Sequence, residues 1–385
     1  MKKRKHVIEL ISAIAEDVTS GATGMPVSTI KKIVALSIPN WMRDNYYVKW
    51  NDMLYFSSYY KDTELIKFPY KKRTYILPQV LEVDNKANKI SLNDIAINPE
   101  NQKFEVDPSI TGLTDSCFLK YRKYLLIKRK KYHEGRLARL NKISIEPDRI
   151  MLNVQAVNYE AVCRTNLCID AKESCDSKSL REVLHNDGKI EKLENSSMGN
   201  ALGVNFILFT ADNRLVAPYR SKKVVVRANQ LSPSSSGDFE FSDVYGDKRS
   251  MSVVQLLRES IEELYISNEH IHDDAITFLG ITRELVRGGK PEMFFMAKTI
   301  LTQKDFLNKH PLAKDQWEFK KKGKGWVFWP FDASFFSDTI SDTEKYNIQT
   351  EFEYFLDSYG PKISVPLLTG LVLALRFTLR NAFCK

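Results

Sequence analysis

Apolar residues recur at helical spacing near the start of the chain and then give way to shorter, strand-like runs. Residues 7–16 carry apolar side chains every three to four positions, and a second helix is predicted to start after Pro26. The segments 53–60 and 74–80 are rich in aromatic and β-branched residues, which favours strands. Residues 116–142 combine basic side chains with helical spacing and predict one long basic helix.

The second half of the chain alternates between short apolar runs and two longer helical patterns. Helices are predicted over 252–266 and 365–379. Strands are predicted over 151–157, 204–209, 215–217, 276–285, 292–299 and 326–329, with turns at 212–213 and at the Gly-Gly segment 287–291. A helix placed between two strand pairs predicts an α+β domain built in layers on a mixed sheet.

Charge divides the chain into two parts. The 57 Lys and Arg residues exceed the 48 Asp and Glu residues by nine. Residues 1–150 hold 27 of the basic and 17 of the acidic residues, a balance of +10, so the remainder is nearly neutral. We therefore predict two units with different partners, a basic N-terminal accessory domain over 1–150 and a second domain over 151–385.

The composition excludes several classes of protein. No run approaches the roughly 18 consecutive apolar residues that a membrane-spanning helix requires. The basic N-terminus resembles the start of a signal peptide, but Glu9, Glu16 and Asp17 interrupt the apolar stretch that should follow. The five cysteines are odd in number and lack Cys-x-x-Cys spacing. These features predict a cytoplasmic location and neither a disulfide framework nor a zinc site.

A cluster of carboxylates lies on the helix predicted over 252–266. Glu259, Glu262 and Glu263 are spaced i, i+3 and i+4 and should share one face. Like charges at this spacing repel by roughly 0.2–0.5 kcal/mol per pair, so helix formation alone does not favour them. A hard divalent cation would turn this repulsion into attraction. Arg258 is placed to pair with Glu262, and we expect Val253, Leu257, Ile261 and Leu264 to form the buried face.

Residues 258–264, Arg-Glu-Ser-Ile-Glu-Glu-Leu, resemble the helical half of the Nudix box, Arg-Glu-x-x-Glu-Glu. The flanking segments that resemble the same family are 203–210, 212–215, 234–237, 278–281 and 291–295. The resemblance covers about residues 199–305 and, more loosely, 151–385. Residues 1–150 remain outside it.

This resemblance implies an α/β/α sandwich with a mixed sheet. It also implies hydrolysis of a nucleoside diphosphate linked to another group, with Mg²⁺ or Mn²⁺ orienting a water and neutralising charge. The catalytic residues would be Glu259, Glu262 and Arg258. The metal ligands would be Glu259, Glu262 and Glu263, one of them relaying a proton. The substrate would contact Arg220, Gly237 and Glu240.

The chain departs from the family pattern at three positions. Ser250 stands where the family has a glutamate, and Tyr265 stands where a glycine usually follows the paired glutamates. Gly237 lies farther from the helix than the box glycine should. Glu240 and Asp243 are the two candidates for the missing acid. An alternative interpretation is therefore a catalytically degenerate Nudix domain that senses or binds a nucleotide.

A basic stretch precedes these elements. Its densest part is the run Lys128, Arg129, Lys130 and Lys131, with tyrosines interleaved on either side. Such a patch attracts phosphate backbones largely without sequence specificity, which predicts binding of nucleic acid. The alternative is a solvated helix that packs through its leucines.

Overall fold

The computed structural model describes most of the chain beyond residue 49. The described residues are 50–85, 90–127, 135–146, 149–172, 177–221, 224, 227–245, 251–313, 319, 325–337 and 339–379. The two helices predicted nearest the N-terminus and the run Lys128–Lys131 lie outside them.

The described residues form eight α-helices and eleven strands. The helices are α1 (Trp50–Tyr59), α2 (Pro108–Ile127), α3 (Tyr159–Val162), α4 (Leu180–Leu184), α5 (Met251–Leu264), α6 (Gln303–Lys309), α7 (Asp342–Tyr359) and α8 (Val365–Leu379). The strands are β1 (Leu65–Tyr70), β2 (Arg73–Asp84), β3 (Ile95–Lys103), β4 (Arg136–Glu146), β5 (Arg149–Asn158), β6 (Gly203–Phe209), β7 (Arg214–Pro218), β8 (Ser235–Asp238), β9 (Thr277–Glu284), β10 (Lys290–Lys298) and β11 (Trp326–Pro330).

The strands form two sheets. The larger sheet has eight strands in the order β1-β2-β9-β10-β6-β7-β11, and β8 pairs with β6 beside this path. Strands β10 and β6 run parallel, whereas the other pairs of this sheet are antiparallel. The smaller sheet has the order β3-β5-β4. The prediction of a mixed α+β fold with a mixed sheet is confirmed.

Both faces of the large sheet are covered. On one face, side chains such as Ile207 and Phe294 pack against α8, as expected for the nearly continuous apolar run of that helix. On the other face, Val204 and Phe206 pack with Leu264 of α5 and with the small sheet. Strand β6 is buried along its entire length, which explains its largely apolar sequence, interrupted only by Asn205. The sheet therefore lies between two apolar cores.

Several predicted elements are confirmed, and the strand predicted over 53–60 is wrong. The final helix, the β6–β7 hairpin and the β9–β10 hairpin are present, the last with left-handed glycines at Gly288 and Gly289. The segment 53–60 is not a strand, because most of it belongs to α1. Phe56 and Tyr60 are buried four positions apart, which is helical spacing, so the aromatic content misled the prediction.

The long basic helix predicted over 116–142 is also wrong. Helix α2 ends at Ile127, and from Arg136 the chain forms strand β4, which pairs with β5 along its length. Arg139 is only 2% exposed and donates to the carbonyl oxygens of Met198 and Ser196 at 3.1 and 2.6 Å. Its guanidinium therefore holds a loop in place and does not face phosphate in solvent.

The predicted domain boundary near residue 150 does not match the sheets. Strands β4 and β5 form an antiparallel pair with Glu146 opposite Arg149, so the boundary would cut a hairpin. Strand β2 pairs with β9 of the large sheet, which joins the two predicted domains by backbone hydrogen bonds. The charge balance changes near residue 150, but backbone hydrogen bonds connect the segments on either side of that residue.

Two smaller expectations concern the thiols and membranes. Cys117, Cys163 and Cys168 are buried and form no disulfide with one another, and burial raises the pKa of the Cys163 and Cys168 thiols. Within the described ranges, no helix has the length and apolar content that crossing a membrane demands.

Candidate functional site

Helix α5 places its glutamates against the protein, not against solvent. Ser260 is fully buried and Glu263 is 4% exposed, whereas Ile261 is 45% exposed. The predicted burial of Leu264 is confirmed, and that of Ile261 is wrong. The physical reason is that strand β8 offers polar backbone to this side of the helix, so a glutamate gains a hydrogen bond there.

Two contacts join α5 to β8. The Oε2 atom of Glu263 accepts a hydrogen bond from the backbone N–H of Ser236 at 2.9 Å. The carboxylate of Glu259 lies directly over Gly237. A Cβ built on that glycine would lie 2.5 and 2.6 Å from the two carboxylate oxygens. Gly237 is thus required for close approach, although its distance along the chain departs from the family pattern.

Arg258 lies at the centre of a ring of carboxylates. Its Nη2 contacts Glu259 at 2.8 Å and its Nη1 donates to Glu262 at 3.4 Å, which confirms the predicted Arg258–Glu262 pair. It also lies 3.6 Å from Glu240 and 3.7 Å from Asp243. Among the described residues, four carboxylates therefore share one guanidinium.

Both candidates for the missing acid lie at this ring. Asp243 is 14% exposed and Glu240 is 43% exposed, so Asp243 is the more enclosed of the two. Burial is the main cause that raises the pKa of Asp243, and the nearby Arg258 charge opposes it. The Oδ2 atom of Asp243 is buried and has no hydrogen-bond partner in the described part of the chain. Ser250 itself lies outside that part.

The end of α5 has a backbone conformation that favours glycine. Tyr265 occupies the usual glycine position and adopts φ 60°, in the left-handed region. The N–H of Ile266 donates across it to the carbonyl oxygen of Ser260 at 3.2 Å, which closes the helix. A tyrosine therefore accepts a conformation that glycine adopts at lower cost.

Arg220 follows β7 in the chain, and its side chain reaches strand β8. Its Nη1 donates to the Ser236 Oγ at 3.5 Å, and Ser236 in turn donates its N–H to Glu263. Arg220, Gly237 and Glu240 therefore lie along β8 and its continuation, beside the carboxylates. The structure brings together the residues that the family resemblance assigned to catalysis, metal binding and substrate binding.

A second polar cluster, which the sequence did not predict, lies on the other face of the large sheet. Arg287 pairs with Glu284 and with Glu292, and Arg227 contacts Glu284 at 2.8 Å. Lys290 is nearly fully buried and contacts Asp238 at 2.8 Å, and burial is the main cause that lowers the pKa of this lysine. Charged residues inside strands β9 and β10 were the available signal. Arg287 is a near neighbour of Glu284 and Glu292 along the chain, whereas the partners Arg227 and Asp238 come from distant segments.

Among the described residues, the carboxylate ring does not form a closed metal site. In the described part of the chain, no three His, Cys, Asp or Glu side chains converge closely enough to enclose an ion. Mg²⁺ usually keeps several waters and binds one or two carboxylates together with substrate phosphates. An ion bound in this open mode would meet Glu259 and Glu262, beside the Asp243 Oδ2 that lies 3.7 Å from Arg258.

Comparisons with known proteins add little to this geometry. No protein-family model and no curated protein matches the chain. Among solved structures, 35 chains match. One is the crystal structure of DR0079 from Deinococcus radiodurans, which covers 29% of this chain and 73% of its own length at 17% identity, with a TM-score of 0.20. A similarity at this level constrains neither the fold nor the function.

Proposed function

We propose that this protein is a Nudix-like, metal-dependent pyrophosphohydrolase that cleaves a nucleoside diphosphate linked to another group. One observation carries the proposal. The guanidinium of Arg258 lies within 3.7 Å of four carboxylates, those of Glu240, Asp243, Glu259 and Glu262. This arrangement gathers oxygen ligands for a hard cation at the helix that resembles the Nudix box.

The residues have separable tasks in this proposal. Glu259 and Glu262 would hold Mg²⁺ or Mn²⁺, which when bound would neutralise charge on the phosphate oxygens. Arg258 fixes the rotamers of both glutamates through its two contacts. Glu263 anchors the helix on Ser236 and has one oxygen already engaged there. Arg220, beside Ser236, supplies positive charge for a substrate phosphate.

The test is a panel of nucleotide sugars, dinucleotides, nucleoside triphosphates and capped RNA, incubated with Mg²⁺ or Mn²⁺ and analysed for cleaved phosphoanhydride. Wild type should release product from at least one class. Glu259→Gln should lower kcat by about 100-fold or more and leave nucleotide binding within a few-fold. Glu269→Gln, at an exposed glutamate after the helix, is the matched control and should leave kcat unchanged.

A second function has its own supporting observation. Glu263 is 4% exposed and engaged with backbone, so the ligand set is smaller than the resemblance implies. A protein that binds a nucleotide without cleaving it does not need all three glutamates as metal ligands. Tight binding across the panel with no product after long incubation would favour this nucleotide-sensing function over hydrolysis.

A further inference from the structure

Strand β8 carries the backbone that contacts both Glu259 and Glu263, so its position sets the geometry of the carboxylate site. The strand is four residues long, and in the described structure its strand partner is β6. Its last residue, Asp238, lies opposite Gly203 of β6. Backbone hydrogen bonds also tie Phe239 and Ser234, on either side of the strand, to Leu202 and Phe206. A side-chain contact at Asp238 therefore adjusts the position of the strand and does not create it.

Lys290 secures the end of β8 from the opposite face of the sheet. Gly203 is paired on one side with Asp238 and on the other with Glu292 of β10, so β6 separates β10 from β8. The Lys290 ammonium nevertheless reaches Asp238, at 2.8 Å. A Cβ built on Gly203 would lie 2.7 Å from that nitrogen. The absence of a side chain at Gly203 therefore lets the lysine cross the strand.

Stability alone is a weak explanation for this lysine. Its side chain is 2% exposed, and transfer of an ammonium from water into such a site carries a desolvation penalty that an ion pair often fails to offset. An apolar side chain of similar volume is frequently as stable at such a position. The contact is better explained by the position that it imposes on Asp238 and on the two preceding residues.

We propose that Lys290 is a positioning residue of the carboxylate site. Its ammonium reaches across Gly203 and fixes Asp238, which holds Gly237 against Glu259 and Ser236 against Glu263. The inference rests on the proposed function, because it assumes that the carboxylates bind a divalent cation. It assigns no contact with the substrate or with the ion to Lys290.

The test is the dissociation constant of Mn²⁺, measured by electron paramagnetic resonance on the 385-residue chain and its variants. Lys290→Met and Asp238→Asn should each raise this constant about tenfold, as expected for residues that orient metal ligands. The double variant should raise it no further than either single variant, because both changes remove the same contact. Gly203→Ala, which displaces the ammonium without removing it, should give a similar rise.

The control is Arg376→Met, which removes one member of the partly buried Arg376–Asp84 pair between α8 and β2. This variant should lose thermal stability and keep the Mn²⁺ affinity of wild type. An unchanged affinity in folded Lys290→Met would overturn the positioning role and leave the proposed function intact. If wild type binds no Mn²⁺, both proposals fail. If Lys290→Met does not fold, Gly203→Ala decides between the outcomes.

Discussion

Glu263 of helix α5 accepts a 2.9 Å hydrogen bond from the backbone N–H of Ser236 in strand β8. The glutamate is 4% exposed, so this bond is made away from solvent. Glu259 and Glu262 instead contact Arg258. The three glutamates that share a spacing in the sequence therefore have different surroundings, and they should respond differently to the same substitution.

Glu263→Gln should have little effect on stability, because glutamine retains an oxygen that can accept from Ser236. Glu263→Leu leaves that N–H without an acceptor and should lower the free energy of unfolding by about 1–3 kcal/mol. Urea unfolding measures both. We also expect Glu263→Gln to keep Mn²⁺ affinity within a few-fold, whereas Glu262→Gln should lower it. Equal losses of Mn²⁺ affinity in Glu263→Gln and Glu262→Gln would show that Glu263 is also a metal ligand.

Gly237→Ala should displace the carboxylate of Glu259, because the new methyl group would lie 2.5–2.6 Å from its oxygens. The obstructing atoms belong to the end of a flexible side chain, so the fold should survive. A shift of about 1 Å at a reacting group can lower the rate by about 100-fold, and we expect kcat to fall accordingly. Gly112→Ala is the matched control, since a Cβ there meets nothing within 4 Å. Wild-type kcat in Gly237→Ala would contradict the assigned contact.

Tyr265→Gly should stabilise the protein. Tyr265 has φ 60°, a region that costs a residue with a Cβ about 1 kcal/mol relative to glycine. The tyrosine is 40% exposed, so its removal gives up little burial. We expect the free energy of unfolding to rise by about 0.5–1 kcal/mol. Tyr265→Ala, which keeps a Cβ, should show no such gain, and an equal gain in both variants would refute the backbone explanation.

The sequence predicted the bounds of α5 and the Arg258–Glu262 pair because both depend on local spacing. It predicted the burial of Leu264 but not that of Ser260 and Glu263. Apolar periodicity placed Ile261 inside, whereas Ser260 and Glu263 are inside. The donor for Glu263 is a backbone N–H 27 residues earlier in the chain, so no helical pattern could reveal it.

The second polar cluster shows the same limit. Local spacing did not indicate the Arg227–Glu284 and Lys290–Asp238 pairs, because these residues meet only once β6, β8, β9 and β10 are aligned. The long basic helix failed for a related reason. The pairing of β4 with β5 overrides local helical spacing from Arg136 onwards. Contacts between distant segments decided these features.

His185 predicts a measurable dependence of stability on pH. Burial, and then the Arg181 charge, lower its pKa to about 3, and its Nδ1 lies 2.7 Å from the Tyr60 hydroxyl. Because the unfolded histidine titrates near 6.5, the stability contributed by the neutral ring is complete above that pH. It is lost as pH falls from about 6.5 towards 3, at up to about 1.4 kcal/mol per pH unit.

His185→Gln removes this titration and keeps an acceptor for Tyr60. The difference in unfolding free energy between variant and wild type should therefore shift in favour of the variant by up to about 1.4 kcal/mol per pH unit below pH 6. Above pH 7 the difference should be constant. Urea unfolding at several pH values measures it. If the unfolding free energies of His185→Gln and wild type changed in parallel down to pH 4, His185 would not be held neutral in the folded protein.

The basic run Lys128–Lys131 still predicts binding of nucleic acid. Arg139 does not contribute to such binding, since its buried guanidinium donates to the carbonyl oxygens of Met198, Leu193 and Ser196. Each phosphate contact releases counterions, so the logarithm of affinity should fall by about 0.7–0.9 per contact for each unit of log salt concentration. Replacing Lys128, Arg129, Lys130 and Lys131 with Gln should flatten that slope by up to about 3.

Arg149→Gln, at an exposed position of β5, is the single-charge control and should change the slope by less than one. Fluorescence anisotropy with labelled RNA and DNA measures the slope. An absence of binding at low salt would instead favour a solvated surface.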